Sequence, residues 1–250
     1  MNIKSSLLHE LSWTDVEKLD KESTVFLFPV GSTEQHGPQN PLGTDFLIPE
    51  YIARKSAEIS NTAYCLPTIP IGVSSHHRNF LGTLWTSHST FESIIKDVIH
   101  SIHYHGFKKV IVVNGHGGNS SSIMNAISDY NDYHGMICTL FEWWKDEEII
   151  KSVFNTSSAI HADVVETSTV WAVRPDLSKE ERLVNLASAD KWGRVIGELY
   201  LPSRTDQFTS TGIAGKLEGI SIEKGKQAID KIIKKLVKSI EILSDYQEEK

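Results

Sequence analysis

Apolar and amphipathic segments alternate along most of the chain. Short apolar runs predict four buried strands, at residues 24–30, 64–71, 109–114 and 135–142. Apolar positions at helical spacing predict five helices, at residues 49–60, 91–105, 120–130, 167–173 and 221–243. Strands that alternate with helices are typical of a parallel sheet with helices on both faces, and fully apolar strands fit burial on both sides. The pattern therefore predicts an α/β fold.

Residues 176–218 interrupt this alternation. They are more polar and irregular, and their turn-forming residues include Gly193, Gly197, Pro202, Gly212 and Gly215. The chain has no internal repeat or low-complexity linker, and 250 residues are enough for one large domain with a single core. We therefore interpret this segment as an excursion from the main fold and expect residues 1–250 to form a single domain.

Composition narrows the class of protein. The chain carries 25 basic and 32 acidic residues, a formal net charge of -7, so it lacks the basic stripe that nucleic-acid binding requires. Its two cysteines are too few for a disulfide framework. No apolar run approaches the roughly 20 residues that span a bilayer, and the N-terminal residues lack the apolar core of a signal peptide. We expect a reduced, cytoplasmic protein that binds neither nucleic acid nor membranes.

The loop after the first predicted strand holds the first candidates for chemistry, because ligands of an open α/β sheet bind at the carboxyl ends of its strands. This loop, GSTEQHGPQNPLGTD at residues 31–45, contains Glu34, His36 and Asp45. Glu34 and His36 are two residues apart, so an extended backbone directs both side chains to one side. The glycines and prolines that follow His36 can fold Asp45 back toward them.

Two later segments add further candidates. The loop NGHGGN at residues 114–119 follows the clearest strand and has His116 at its centre. Its glycines allow the backbone to come close to a bound group. The segment HADVVET at residues 161–167 supplies His161 and Glu166 at the start of a predicted helix.

Histidine and carboxylate side chains together suit zinc, manganese or iron. A structural zinc site is disfavoured, because these loops contain no cysteine. Glu34, Asp45 and Glu166 supply three negative charges. Two divalent ions would leave one positive charge, which a bridging hydroxide neutralises. We therefore expect two divalent ions per chain, which are Zn, Mn or Fe.

Other interpretations of these residues stay open at this point. The NGHGGN loop also fits a plain glycine-rich turn or a phosphate cradle at a helix N-terminus. Asp163 and Glu166 have the spacing of a helix capping box, so Glu166 is either a ligand or a helix cap. His161 is either a proton donor or a buried neutral histidine bonded to the backbone.

The three segments GSTEQHGPQNPLGTD, NGHGGN and HADVVETS resemble the creatininase (creatinine amidohydrolase) family. Residues 72–83 and 211–225 fit the same family in the same order. The resemblance implies a three-layer α/β/α sandwich with a mostly parallel central sheet and a homohexamer. It also implies a binuclear metal centre, in which a water bridging two divalent metals hydrolyses a non-peptide or cyclic amide C–N bond.

The resemblance also implies roles for the candidate residues. It implies one metal bound by Glu34, Asp45 and His116, a second bound by His36, Asp45 and Glu166, and proton transfer by His161. Creatininase itself has a tyrosine and a metal-binding glutamate at the positions of Gly117 and Gly118. The chain is more similar to the broader branch with NGHGGN, in which the later glutamate, here Glu166, takes the ligand role. The alternatives are a formamide deformylase, a small-peptide amidase, or a non-catalytic subunit that binds a metal or small ligand.

Overall fold

The computed structural model describes residues 5–133, 135–157 and 159–247 of the chain. The helices within these residues are α1 (Trp13–Val16), α2 (Thr44–Ile59), α3 (His88–Tyr104), α4 (Ser120–Tyr133), α5 (Glu147–Phe154), α6 (Val164–Val173) and α7 (Ile222–Asp245). The strands are β1 (Val25–Val30), β2 (Ala63–Cys65), β3 (Lys109–Asn114), β4 (Ile137–Glu142), β5 (Arg194–Ile196) and β6 (Leu199–Leu201). Among the described helices, none is both long and apolar enough to cross a membrane.

The central sheet has four strands in the order β2-β1-β3-β4, and every neighbouring pair is parallel. Val30 at the end of β1 pairs with Asn114 at the end of β3, and Asn114 pairs with Glu142 at the end of β4. These three strands therefore end level with one another. The loops that follow them begin at the same edge of the sheet.

Side chains of the central strands alternate between two separate apolar clusters, because successive residues of a strand point to opposite faces. One cluster joins alternate residues of β1 and β3 to helices α2, α5, α6 and α7. The other joins the intervening residues of the same strands to helices α3 and α4. This arrangement confirms the expected three-layer α/β/α sandwich with a parallel central sheet.

Several predicted elements differ in extent, and the second predicted strand and helix α2 differ most. The predicted strand at residues 64–71 is ordered as a strand only over Ala63–Cys65, with one isolated bridge from Val30 to Ile69. Pro67 and Pro70 lie in the missing part, and proline has no N–H to donate to a sheet. Two short helices, α1 and α5, and an antiparallel β5–β6 hairpin in the excursion have no counterpart in the prediction.

Helix α2 begins at Thr44, five residues before the predicted start, and contains Pro49. Its first turn therefore carries Asp45 and rests directly on the ends of β1 and β3. The carbonyl oxygen of Asp45 lies so close to Gly31 and Gly115 that a Cβ atom there would sit 2.2 Å and 1.9 Å from it. Pro49 has no N–H to donate to the Asp45 carbonyl oxygen one turn earlier. Its ring packs beside Gly115, where a Cβ atom would lie 2.6 Å from Pro49 Cγ.

Candidate metal centre

The carboxyl edge of the sheet brings all the predicted site residues together. They are at most 8% exposed and comprise Glu34, His36, Asp45, His116, His161 and Glu166. A cavity of about 430 Å³ opens above them, and its lining includes every member of this set except His36. Among the described residues, four groups of three have ligand atoms within 4.8 Å of one another. Two of them match the predicted sets: Glu34, Asp45 and His116, and His36, Asp45 and Glu166. The other two are Glu34 with His76 and His77, and Glu34 with His36 and His161.

In the first group, His116 presents Nδ1 to the two carboxylates. This nitrogen lies 2.8 Å from Asp45 Oδ2 and 3.3 Å from Glu34 Oε2. The other nitrogen, Nε2, lies 3.0 Å from the carbonyl oxygen of Val73, which can only accept a hydrogen bond. A neutral His116 therefore carries its proton on Nε2 and leaves the Nδ1 lone pair facing the carboxylates. This is the usual arrangement of a metal-ligating histidine.

The second group repeats this arrangement with the two ring nitrogens exchanged. His36 Nδ1 lies 3.2 Å from the carbonyl oxygen of Glu34, so the proton of a neutral ring resides there. Nε2 faces Asp45 Oδ1 at 2.8 Å and Glu166 Oε2 at 3.7 Å. Asp45 thus turns one carboxylate oxygen toward each histidine, and it is the residue that the two groups share.

Glu166 contributes to both the helix start and the cluster. Asp163 is the N-cap of α6, since its side chain accepts hydrogen bonds from the N–H groups of Val165 and Glu166. The Glu166 carboxylate instead accepts from the N–H of Ala162, at 2.5 Å from Oε2. Ala162 holds a left-handed backbone conformation, with φ of 51°, immediately after His161. Capping and facing His36 are therefore compatible for this carboxylate.

Buried charge dominates the electrostatics of the cluster. Burial, followed by the neighbouring charge of Asp45, raises the pKa of Glu34 well above its ordinary value. Burial raises the pKa of Glu166 to about 8. Burial also opposes the charge on Asp45, yet His36 and His116 together hold the pKa of Asp45 well below its ordinary range. The three carboxylates cannot all stay ionised at neutral pH unless further positive charge is present.

Several polar atoms of the cluster are buried and have no hydrogen-bond partner among the described residues. They are both carboxylate oxygens of Glu34, Oδ2 of Asp45 and Nε2 of His36. Such atoms are costly to bury unless something else binds them. Carboxylate and imidazole donors of this kind suit zinc, manganese or iron. The residues present therefore fit divalent cations, which would also supply the missing positive charge.

Two glycines of the NGHGGN loop have a packing role that was not predicted. A Cβ atom on Gly115 would lie 1.9 Å from the Asp45 carbonyl oxygen, and one on Gly118 would lie 2.2 Å from that of Val73. These two glycines admit close approach of the chain's own backbone, and both also line the cavity. That the loop lets its backbone approach a bound group stays a prediction. Gly117 differs, because a Cβ atom there would meet nothing within 4 Å.

This difference predicts opposite effects for two neighbouring substitutions. A Cβ atom on Gly118 would also lie 2.5 Å from His116 Nε2, so Gly118→Ala should displace the His116 ring from Val73. We expect it to weaken metal affinity by about 10- to 100-fold, the usual cost of losing a contact that orients a ligand. Gly117→Ala, the matched control, should bind metal normally. Metal titration of both variants measures this, and equal affinities would contradict the assigned role of Gly118.

Three further residues of the site were not predicted: Gln35, His77 and Trp192. His77 Nε2 lies 3.1 Å from Glu34 Oε1, and Gln35 contacts both His77 and His161. The Trp192 ring centroid lies 5.3 Å from that of His161 and 5.5 Å from that of His77. His77 belongs to the segment at residues 72–83 that resembles the family. Trp192 lies in the irregular excursion, where no local pattern indicates which side chains turn inward.

Comparison with known proteins points to one family. A sequence model of the creatininase family, described as creatinine amidohydrolase, matches residues 9–240. The chain is similar to creatinine amidohydrolase of Pseudomonas putida, with 26% identity over 73% of this chain and 77% of that protein. It is 27% identical to 3-dehydro-scyllo-inosose hydrolase of Thermotoga maritima, over 88% and 78% of the two chains. It is 30% identical to mycofactocin precursor peptide peptidase of Mycolicibacterium smegmatis, over 63% and 61%.

Solved structures show the same fold. A crystal structure of creatinine amidohydrolase (creatininase) superposes with a TM-score of 0.84 and 24% identity, covering 98% of this chain and all of the other. A manganese form of creatininase gives a TM-score of 0.82 at 23% identity, and a Zn-Zn form of a creatininase mutant gives 0.81 at 22%. Each covers 97% of this chain and 100% of the other. With the family match extending over nearly the whole chain, the protein belongs to the creatininase family of hydrolases.

Proposed function

We propose that the protein is a metal-dependent amidohydrolase that hydrolyses the C–N bond of a small amide. The observation that carries the proposal is the pair of ligand groups sharing Asp45. In each group, a backbone carbonyl holds one histidine nitrogen and leaves the other facing carboxylates. We propose two divalent ions per chain, Zn, Mn or Fe, with Glu34, Asp45 and His116 holding one and His36, Asp45 and Glu166 the other.

In this proposal, the metal ligands hold the ions and His161 transfers a proton. Bound at this centre, divalent ions would supply a Lewis acid for the amide carbonyl and lower the pKa of water. His161 lies beside the centre, with its ring centroid 4.4 Å from that of His36 and its ligand atom within 4.8 Å of those of Glu34 and His36. The leaving nitrogen must gain a proton as the C–N bond breaks, and we assign that donation to His161.

The walls of the cavity indicate the class of amide. Trp144, Trp192 and Tyr200 line it, together with His76, whose ring stacks on His116 at 5.6 Å. No lysine or arginine is among the described residues of the lining. Carboxylates and aromatic rings without a cation favour uncharged substrates over phosphorylated or carboxylated ones. A volume of about 430 Å³ suits a small molecule. We therefore propose an uncharged small amide as substrate.

Metal analysis combined with an amide panel tests the proposed function. The purified protein is loaded with Zn, Mn or Fe and assayed on cyclic amides, formamides and small peptides, with and without chelator. Each uncharged amide is paired with an analogue that differs only by an added carboxylate. We expect chelator-sensitive turnover with a preference for the uncharged member. Tightly bound metal without turnover of any amide would overturn the proposal and favour a non-catalytic metal-binding subunit.

Glu166→Gln distinguishes a ligand from a helix cap. The glutamine oxygen can still accept the N–H of Ala162, so α6 should start normally and the change in stability should stay within about 1 kcal/mol. The substitution removes one negative charge facing His36, so we expect one tight and one weakened ion in a metal titration. Glu142→Gln is the matched control, because Glu142 binds Ser120 and Asn114 and belongs to neither group. Two tightly bound ions in Glu166→Gln would show that Glu166 is not a metal ligand and acts only at the start of α6.

We propose further that the chain is a single domain and assembles as a homo-oligomer, a hexamer by family resemblance, in the cytoplasm. Large apolar side chains on the surface support assembly. Ile196 and Leu199, which are paired in register in the β5–β6 hairpin, are 63% and 74% exposed. Such side chains favour contact with another subunit when they cluster. Light scattering coupled to size-exclusion chromatography measures the mass, and a 28.0 kDa monomer at all concentrations would contradict the assembly.

A further inference from the structure

His76 lies in the wall of the cavity, where the rings of three other residues hold it in place. It belongs to the single turn Ser75–His77 and is half-buried. Its ring stacks nearly parallel on that of His116, with the centroids 5.6 Å apart and an angle of 11° between the planes. The ring centroid of His77 lies 4.3 Å away and that of Trp192 lies 5.8 Å away. Packing against these rings therefore orients His76 without a hydrogen bond to the protein.

The ring nitrogens of His76 have no hydrogen-bond partner among the residues that the structure describes. By contrast, two other polar side chains of the cavity wall already have partners. Nδ1 of His77 lies 2.7 Å from the amide nitrogen of Gln35, and Ser203 donates to the carbonyl oxygen of Leu201 at 2.8 Å. An imidazole has at least one N–H donor in either charge state, and a neutral ring adds one acceptor. His76 therefore offers hydrogen bonds to a molecule in the cavity, whichever nitrogen carries the proton.

His76 also lies next to the candidate metal centre. One of its ring nitrogens is within 4.8 Å of a carboxylate oxygen of Glu34 and of a ring nitrogen of His77. Glu34 belongs to the first ligand group, together with His116, on which the His76 ring stacks. A substrate group that lies beside this centre would therefore have His76 within reach of a hydrogen bond.

We propose that His76 determines substrate specificity by binding a second polar group of the substrate, beside the scissile amide. This inference rests on the proposed function for cleavage of the amide itself. The substrate class is an uncharged amide with a hydroxyl or a further amide next to its scissile carbonyl, because such groups can both donate and accept. An amide with only hydrocarbon at that place leaves His76 without a partner and binds more weakly.

A third metal ion is the other role that the position of His76 permits. Glu34, His76 and His77 form one of the four groups with metal-binding spacing. Glu34 is the only carboxylate of this group, and it already belongs to the first ligand group. A third divalent ion would add two positive charges without a further carboxylate to offset them, and unpaired buried charge is costly. We therefore assign His76 to the substrate, and a metal titration distinguishes the two roles.

Binding of two amides that differ by one hydroxyl tests this role without requiring turnover. The probes are propanamide and lactamide, which is propanamide with a hydroxyl next to the carbonyl. Each is titrated into zinc-loaded protein labelled with ¹⁵N in its histidines, and the ring signal that is lost in His76→Phe is assigned to His76. We expect lactamide to shift this signal and to bind about 3- to 10-fold more tightly than propanamide, the contribution of one hydrogen bond between neutral groups.

Substitution of His76 supplies the causal test. His76→Phe keeps a ring that can stack on His116 but has no ring nitrogen, so we expect the two amides to bind it with equal affinity. Where the amides are turned over, the preference in kcat/KM should disappear mainly through KM. The variant should bind the same number of metal ions as the unaltered protein. His88→Phe is the matched control, because His88 binds Ser122 and lies outside the described lining of the cavity.

The outcomes separate the two proposals. Equal affinities of the two amides for the unaltered protein, or binding of neither, would overturn the role of His76. A preference for lactamide that persists in His76→Phe would overturn it as well, and loss of a metal ion in that variant would identify His76 as a ligand instead. The expected preference together with no turnover of any amide would overturn the proposed function and leave the role of His76 intact.

Discussion

Asp45→Asn is expected to release both metal ions and reduce amide hydrolysis to the level of the chelator-treated enzyme. Asp45 is the one residue common to the two ligand groups, and its two oxygens lie 2.8 Å from His36 Nε2 and from His116 Nδ1. Asparagine keeps the shape but removes the charge and one of the two oxygen donors. Each ion would then lose either a donor or part of the negative charge that holds it.

Elemental analysis of the purified variant measures this effect directly. Asp146→Asn is the matched control, because Asp146 caps α5 and pairs with Lys235 outside the cavity. Asparagine is also a good N-cap, so that helix should be unaffected. Two tightly held ions in Asp45→Asn would show that the two groups do not share this carboxylate.

His161→Ala is expected to retain the metal and lose amide hydrolysis by roughly 10²–10⁴-fold, the usual contribution of a positioned proton donor. His161 carries no charge at neutral pH, because burial and then the neighbouring His36 hold its pKa well below the ordinary value. A neutral ring can first accept a proton from the attacking water and then give a proton to the leaving nitrogen, which returns the ring to its neutral form. Metal content should be unchanged, because His161 belongs to neither proposed ligand set.

Comparison of two substrate types isolates this role. An activated ester has a leaving group that needs no proton, so we expect His161→Ala to lose much less activity on an ester than on an amide. The ratio of the two losses is the measurement, with metal content determined on the same samples. Equal losses on ester and amide would contradict proton donation and indicate that His161 acts only on the structure of the site.

Much of the site could be predicted from local sequence. Glu34 and His36 lie two residues apart directly after β1, and His116 lies two residues after β3, so their backbones alone place them at one edge of the sheet. The place of Asp45 could not be predicted in this way, because Asp45 lies in the first turn of a helix that starts five residues before the predicted boundary. That start is possible only because Gly31 and Gly115 allow the first turn of α2 to rest on the strand ends.

The residues that surround the predicted ligands could not be read from any local pattern. His77 and Trp192 reach the cavity through loops whose paths depend on long-range contacts, such as the hydrogen bond between Thr205 and His77. The ligand assignments themselves stay predictions until metal is measured.

By itself, the sequence determined the alternation of strands and helices, the family, and the carboxylates and histidines available for chemistry, because these depend on residue type and short-range spacing. The tertiary structure decided which oxygens and nitrogens face one another. Glu166 illustrates the division: its spacing from Asp163 predicts a cap, whereas the fold turns its carboxylate to both Ala162 and His36. Hydrogen-bond direction and charge proximity act over a few ångströms in space, and residues more than 100 positions apart come that close only when the chain is folded.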